Sequence, residues 1–449
     1  MSGQLNKNSA SSFNFTKVDI TTRSGETVSL GGNSVMGFMY YEDVNSGYIS
    51  ANLAILDSGF NFIANGPIQG GEEVYIEVEG PDEVKYEYNF RVYRVGDRVI
   101  SNRLQTYNLG LISGEALTNE SVKVNKLLQG QPHEIVQELL QDYIKTDKDL
   151  IYDTAANRTV INPSSRSPFS ICAYLQDRSF TTQAIKAESQ NSSTAKGDQK
   201  SLSGSAGYLF YENARGFNFR SIDSLCSLGG SGYENQQEEI KEFFDAPTSN
   251  VMGFNHIISV IFESEINLMS GLRLGAYSTK AAFFDINTGE YEEYVYSVDK
   301  SFNNQQHLGT NELTDAQKEY AKVPTRIVSA IIDNETHYSG KKPADLLAAD
   351  NPTPDWTKFT LVQSISRNMM LNTQGLEIEV PGNIDLVVGD KIKVILPNTV
   401  DQNQRERERF DTENSGFYLI TQLSRYFNAS DRKVITTLKL RRDSYGSQE

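Results

Sequence analysis

Basic charge is in short supply. Against 58 Asp and Glu the chain carries 42 Lys and Arg, a formal net of −16. A nucleic-acid binder must neutralise phosphates with cations, so binding on a basic patch is excluded. An acidic wall can still face DNA when its task is to let the polymer slide past without adhering. The deficit is uneven. Residues 1–115 hold 8 basic and 14 acidic groups (net −6), residues from Asp355 onward hold 13 of each, and the middle carries the remaining −10. Only two cysteines occur, Cys172 and Cys226, and in a chain with no secretory signature they read as free, buried thiols. The four histidines, His133, His256, His307 and His337, form no pair at helical or hairpin spacing, which argues against a zinc site. No run of about 18 apolar residues could cross a membrane as a helix. Residues 1–12 are small and polar, with no apolar stretch of a signal peptide, and read as a disordered arm. The protein is therefore expected to stay where it is made or to leave by lysis.

Catalytic patterns are missing too. No G-x-S-x-G elbow and no Cys/His pairing stands out. Gly229–Gly232 lacks the Lys-Ser/Thr of a phosphate loop, so nucleotide binding is not expected. The acid cluster Glu72, Glu73, Glu77, Glu79, Asp82 and Glu83 could supply a glycosidase-like carboxylate pair. However, Glu77 and Glu79 alternate with Ile76 and Val78, which puts them on the wet face of a strand, solvated or turned towards a channel. Arg405–Arg409 alternates sign and cancels, so it reads as a solvated loop. These readings give no catalytic, cofactor-binding or metal residues, and the protein is expected not to be an enzyme.

What the chain does have is β signal. Tyr 23, Phe 22 and Gly 33 against a single Trp lean towards strands, and 449 residues suggest about three domains. Residues 13–115 read as an all-β module. Its best strand is Lys85–Val95, where Tyr86, Tyr88, Phe90 and Val92 alternate with polar neighbours. Residues 116–206 read as an α+β connecting domain. They contain an amphipathic helix over 132–145, a second over Ser167–Arg178 and a Ser/Gly-rich loop over 188–206. Residues 207–232 form a hairpin whose turn, Asn213–Gly216, needs the positive φ of Gly216. An inserted domain, 233–355, combines a charged helix (Gln236–Phe244), strands near 260–266 and 290–298, a helix near 314–322 and the loop Ser339–Asp355. Residues 356–449 read as a second, all-β module with turns at Pro381–Asn383 and Val388–Asp390. The two β modules share a rough grammar, a strand of the kind EVYIEV or KIKVILP followed by long paired strands, and read as a faint repeat.

The segment GYLFYENARGFNFRSIDSL (Gly207–Leu225) resembles a signature of the baseplate central hub proteins of contractile-tailed, T-even-like bacteriophages. Phe210, Glu212, Gly216, Phe217, Phe219, Ser221 and Leu225 fill its pattern. The runs Leu376–Pro397, Ser415–Phe427 and Leu438–Ser444, together with Ile55–Val78 and Tyr107–Glu115, are similar to the same family. The resemblance implies a mainly β fold with some α: two tail-tube-like antiparallel β-barrel modules plus α+β connecting domains. The second module would be discontinuous, with hairpin 207–232 joining 356–449. It further implies a homotrimeric ring joining a six-fold tail tube to a three-fold membrane-piercing spike, bordered by baseplate wedge proteins. DNA would pass through the ring transiently during infection. The location implied is the virion tail baseplate, after assembly in the host cytoplasm. A tail-associated adhesin that binds host glycan is the alternative, for which Trp356 is thin support. A cell-wall hydrolase is the third reading.

Overall fold

Alternation of apolar and polar residues writes most of this molecule, because side chains on a strand point to opposite faces with a period of two. The computed structural model describes residues 9–446 apart from 32–33, 59–67, 182–205, 230–232, 246–252, 286–288, 333–355 and 399–409 and positions 82, 103, 234, 265 and 290. The polar loop 188–205, the loop 339–355, the run 405–409, His337, Asp82 and most of the N-terminal arm lie outside the described residues.

The strands of the first module are β1 (Asn14–Thr21), β2 (Thr27–Ser29), β3 (Val35–Asp43), β4 (Ser50–Asp57), β5 (Glu73–Glu79), β6 (Lys85–Ser101) and β7 (Leu104–Ile112). Then come β8 (Leu128–Gly130), β9 (Leu150–Tyr152) and β10 (Thr159–Ile161), and the hairpin β11 (Tyr208–Asn213) and β12 (Gly216–Ser221). The inserted region holds β13 (Lys241–Phe244), β14 (Ser259–Ser264), β15 (Ser278–Asp285), β16 (Tyr291–Ser297) and β17 (Arg326–Ile332). The chain closes with β18 (Gln374–Pro381), β19 (Lys391–Ile395), β20 (Gly416–Asn428) and β21 (Lys433–Arg442).

Both modules belong to one sheet. Its hydrogen-bonded path runs β14-β18-β21-β20-β3-β4-β7-β6-β5-β1-β2, and β19 and β13 branch from β20. The modules join where β20 pairs with β3, from Gln422 opposite Asp43 to Asn428 opposite Gly37. One face of this sheet closes over a single core that draws on both halves, for example Phe38, Leu53, Ile76 and Leu109 with Ile378, Tyr418, Leu423 and Leu438. Phe427 sits at the joint, stacked on Phe38 at 5.5 Å between ring centres and edge-on to Phe13 at 5.1 Å. Fully burying such a side chain contributes roughly 2–3 kcal/mol, so the joint is held by its core as well as by its ladder.

Among the described residues, two other sheets stand beside a short β8–β10 pair: β11-β12-β9 and β16-β15-β17. The helical expectations hold at Pro168–Gln176 and at Asp315–Tyr320, where Thr314 and Gln317 form a capping box. The stripe over 132–145 is an α-helix only through Glu138. It continues as a π-helical turn, Leu139–Ile144, and ends at Lys145 in the left-handed region (φ 59°).

Three expectations need correction. The charged helix over Gln236–Phe244 does not form. Lys241–Phe244 is a strand parallel to β19, with Phe243 buried in the main core. The second module is not all-β either, because it opens with a 15-residue helix, Trp356–Met370. The buried residues of that helix include Thr360, Gln363, Ser364, Ser366 and Arg367. Its inward stripe is therefore largely polar and gives no apolar period of 3.6. Finally, hairpin 207–232 does not supply strands to the second module, since β12 pairs in parallel with β9 of the connecting domain. All six residues of β11 are buried, so no wet face reveals which side packs on what.

Candidate assembly site

The open face of the large sheet carries the residues that alternate with the core. In its middle, β20, β3, β4 and β7 present Gln422, Ser424, Met39, Tyr41, Asn52, Ala54, Thr106 and Asn108, while the side chains between them face the core. The one acid there, Asp43, accepts a hydrogen bond from the Gln422 amide (2.6 Å). Besides Arg94 and Asp97 of β6, which line a groove on this face, paired charges stand at the two ends. At one end stand Lys17–Asp19 (3.0 Å), Lys85–Glu77 (2.9 Å) and Arg91–Glu73 (2.5 Å). At the other stand Lys439–Glu263 (3.3 Å) and Arg441–Glu263 (2.5 Å). The acid cluster is thus partly neutralised on this face, and Thr16 and Lys85 hold the Glu77 carboxyl below its usual range. Glu72 departs from the wet-face reading. It is buried and caps the turn before β5, accepting the amide protons of Gln69 (2.7 Å) and Gly70 (2.9 Å). The face mixes these polar side chains with apolar ones such as Met39, Ala54 and Leu104, and is built from one continuous ladder.

A groove of about 910 Å³ lies on this face between β3, β6 and the end of β20. Tyr93 and Tyr426 line it, each close to a glycine of the neighbouring strand, Gly110 and Gly37. An added Cβ would lie 3.0 Å from the Tyr93 ring at Gly110 and 3.3 Å from the Tyr426 ring at Gly37, so glycine leaves room for both rings.

The signature hairpin does not face the open side. It is the pin between three regions. Glu212 is fully buried on β11. Its carboxylate accepts from the Ile49 amide (3.2 Å) and the Ser113 hydroxyl (2.7 Å) of the first module. It also pairs with Lys148 (2.5 Å) from the connecting domain, and Lys148 is shared with Glu115 (2.8 Å). Burial pushes the Glu212 carboxyl up, and Lys148 opposes this. At the hairpin turn, Glu42 of β3 is also buried. It accepts from the amides of Ala214 (2.8 Å) and Val388 (2.8 Å) and from the Tyr40 hydroxyl (2.5 Å). Arg215 makes a two-pronged bridge to Asp390 (2.7 and 2.9 Å), and Asn213 donates to the Val388 carbonyl (3.0 Å). Gly216 sits at φ +126°, where an added Cβ would lie 2.5 Å from the Asp149 carbonyl oxygen. The acid and the glycine that mark the motif are therefore joinery, fixing how the two modules and the connecting domain meet.

A second buried polar cluster locks the inserted domain. Asp443, just past β21, is bound by Arg367 and by His307 Nδ1 (2.7 Å), and it accepts the Leu308 amide (3.0 Å). Burial would raise the Asp443 carboxyl, but Arg367 and His307 outweigh it and hold it well below the carboxylate range. Asp223 accepts from the Gln306 amide (2.8 Å) and the Tyr233 hydroxyl (2.7 Å) and lies 3.4 Å from Arg367. Sequence reasoning missed this cluster, since its members lie up to 220 positions apart with no shared spacing.

His133 stacks on Tyr152 (5.0 Å) and accepts the Ala155 amide (3.2 Å). Cys172 and Cys226 are free and buried, as expected, and burial pushes both thiols up. Among the described residues no group of three His, Cys, Asp or Glu could hold a metal ion. Asn157, which begins an N-x-T triplet, is buried and donates to the Arg178 carbonyl (2.8 Å).

No family model matches the chain, and no curated protein matches it either. Solved structures do. A tail protein from Neisseria meningitidis MC58 superposes with a TM-score of 0.52 at 10% identity, covering 96% of this chain and 97% of that one. The 43 kDa tail protein of prophage MuSo2 from Shewanella oneidensis covers 94% and 97% at 8% identity, with a TM-score of 0.46. A prophage tail protein from Listeria monocytogenes EGD-e covers 94% of each chain at 9% identity, with a TM-score of 0.45. At such identities the fold is what is shared. This chain has, over nearly its whole length, the mainly antiparallel β fold of a tail protein.

Proposed function

We propose that this chain is a structural subunit of a contractile phage tail, the central hub of its baseplate. The observation that carries the reading is the sheet that runs unbroken through both modules, with a core on one face and a middle bearing few charges on the other. Such a wall suits a passage for DNA, because its middle offers phosphates few fixed cations to stick to. Three copies, each supplying two modules, would make a ring of six similar units that matches a six-fold tail tube above and a three-fold spike below. Wedge proteins would contact its outside. In this reading the protein works by geometry and not by catalysis, and it resides in the virion.

The test is the mass of the purified protein by light scattering behind a sizing column. The ring requires about 150 kDa, three times the 50.2 kDa chain. A monomer at every concentration, alone and with its spike, would overturn it. A zymogram on peptidoglycan is expected to show no clearing, and clearing would overturn the non-enzymatic reading. The adhesin alternative draws on one observation, the two tyrosines in the groove. Retention on a host-glycan array that is lost in a Tyr93→Ala, Tyr426→Ala variant would favour it over the hub.

A further inference from the structure

The two halves of the large sheet repeat one strand order. β3-β4-β7-β6-β5 in the first half matches β14-β18-β21-β20-β19 in the second, and every neighbouring pair is antiparallel. A bulge sets the register of the match. It falls between Val92 and Arg94 of β6 where Leu111 and Gly110 stand opposite, and between Ile420 and Gln422 of β20 where Leu440 and Lys439 stand opposite. Following the ladders outward from the bulges makes Tyr40 of β3 the counterpart of Phe262 of β14. Val95 and Ile100 of β6 become the counterparts of Leu423 and Phe427 of β20.

One pairing in this repeat has no counterpart. Beyond its bulge, β20 uses its second edge to bind β3. Beyond its own bulge, β6 has no strand on that edge among the described residues, and β14 has none on its outer edge. The burial follows suit. Leu423 and Phe427, covered within the chain, are 2% and 0% exposed, whereas Val95 and Ile100 are 38% and 68% exposed. Tyr40 is 1% exposed and Phe262 is 44% exposed. Core-facing positions are left open where the repeat lacks a neighbour, and a bare edge with apolar side chains is a template for another strand.

We propose that the outer edge of β14 in one copy pairs antiparallel with the outer half of β6 in the next copy, residues 260–264 against 95–100. The pairing repeats between chains what β3 and β20 do within one. Val260 then lies opposite Ile100 as Phe38 lies opposite Phe427, and Phe262 closes over the core as Tyr40 does. The two edges belong to opposite ends of the same sheet and differ from each other, so the contact is heterologous and propagates in one direction until it closes. Its affinity comes from main-chain hydrogen bonds, and its register from the side chains on alternate positions. The closure of this seam after three copies rests on the ring reading above, whereas the seam itself does not.

The test uses the full chain carrying Ile100→Cys and Val260→Cys together, oxidised mildly and run on a non-reducing gel. The native Cys172 and Cys226 are buried. The expected result is a covalent three-chain species with the double variant and none with either single variant. A particle of three-chain mass in solution that yields only monomer on the gel overturns the seam and leaves the ring standing. A chain that stays monomeric in solution and uncrosslinked overturns both. A ladder running past three chains keeps the seam and replaces the closed ring with a filament. Hydrogen exchange on the unmodified protein gives a second reading that needs no variant to fold. Amides of 94–100 and 260–264 are expected to exchange at least roughly tenfold more slowly in the assembled sample than in the dilute one. Assembly with unchanged exchange at both segments refutes the pairing.

Discussion

Replacing Glu212 tests whether the hairpin is the pin between modules. In Glu212→Ala the Ile49 amide and the Ser113 hydroxyl lose their buried acceptor, and Lys148 keeps only Glu115. Leaving one buried donor unsatisfied costs about 1–3 kcal/mol. Breaking a buried ion pair costs about 3–5 kcal/mol when the remaining charge is trapped. Lys148 is 37% exposed and can turn to water, so solvent screening takes most of that second figure away. We expect about 3 kcal/mol in total, read as a lowered urea midpoint at an unchanged slope. The Lys148→Met partner supplies the decisive arm, a double-mutant cycle with an expected coupling of about 1–2 kcal/mol. Strict additivity of the two substitutions would show that the pair does not act as a unit, and the account of the hairpin as joinery would fall with it.

Other expectations follow from the same physics. Asp443→Asn strips the compensating charge from buried Arg367 and is expected to cost about 3–5 kcal/mol, measured by chemical denaturation. Because the Asp443 carboxyl is held low in the fold, its contribution is full above the unfolded value near pH 4 and is lost as pH falls further. An acid titration of stability that is flat for the wild type below pH 4 would contradict this. Lys391 is buried, donates to the Ser227 carbonyl (2.7 Å), and burial with Arg220 nearby pushes its ammonium down to about 8. The unfolded chain therefore holds more protons between about pH 8 and 10.4, so this group opposes folding below that window and opposes it less as pH rises through it. Lys391→Met is expected to raise the melting temperature at pH 7 and to remove that pH dependence. Gly216→Ala combines a positive φ with a Cβ against the Asp149 carbonyl, and a loss of at least about 2 kcal/mol in denaturation is expected.

Wherever one face of a strand is wet, the fold could be read directly. The alternation in Glu73–Glu79 and Lys85–Val95 marked β5 and β6, and Leu376–Val380 marked β18, because solvent on one side forces polar residues into every second place. Reading failed where solvent does not discriminate. The hairpin 208–221 is buried on both sides, and the helix 356–370 turns Ser, Thr, Gln and Arg inward, so neither shows the period that would place it. Lys241–Phe244 was hidden by its charges, since four residues are too few to tell a strand from a helical turn. For the candidate site the same division holds. The motif residues Glu212 and Gly216 were visible, but their task was not.

By itself, then, the sequence determined the mainly β fold class, the acidic net charge and the free thiols. These are properties of composition and of neighbours along the chain. Only the tertiary structure decided that the modules share one sheet through β3 and β20, that Glu42 and Glu212 bind segments as far apart as Ile49 and Val388, and that Asp443 meets His307 and Arg367. Those contacts depend on which strand edges and which buried charges find each other across long loops, and no local periodicity encodes that choice.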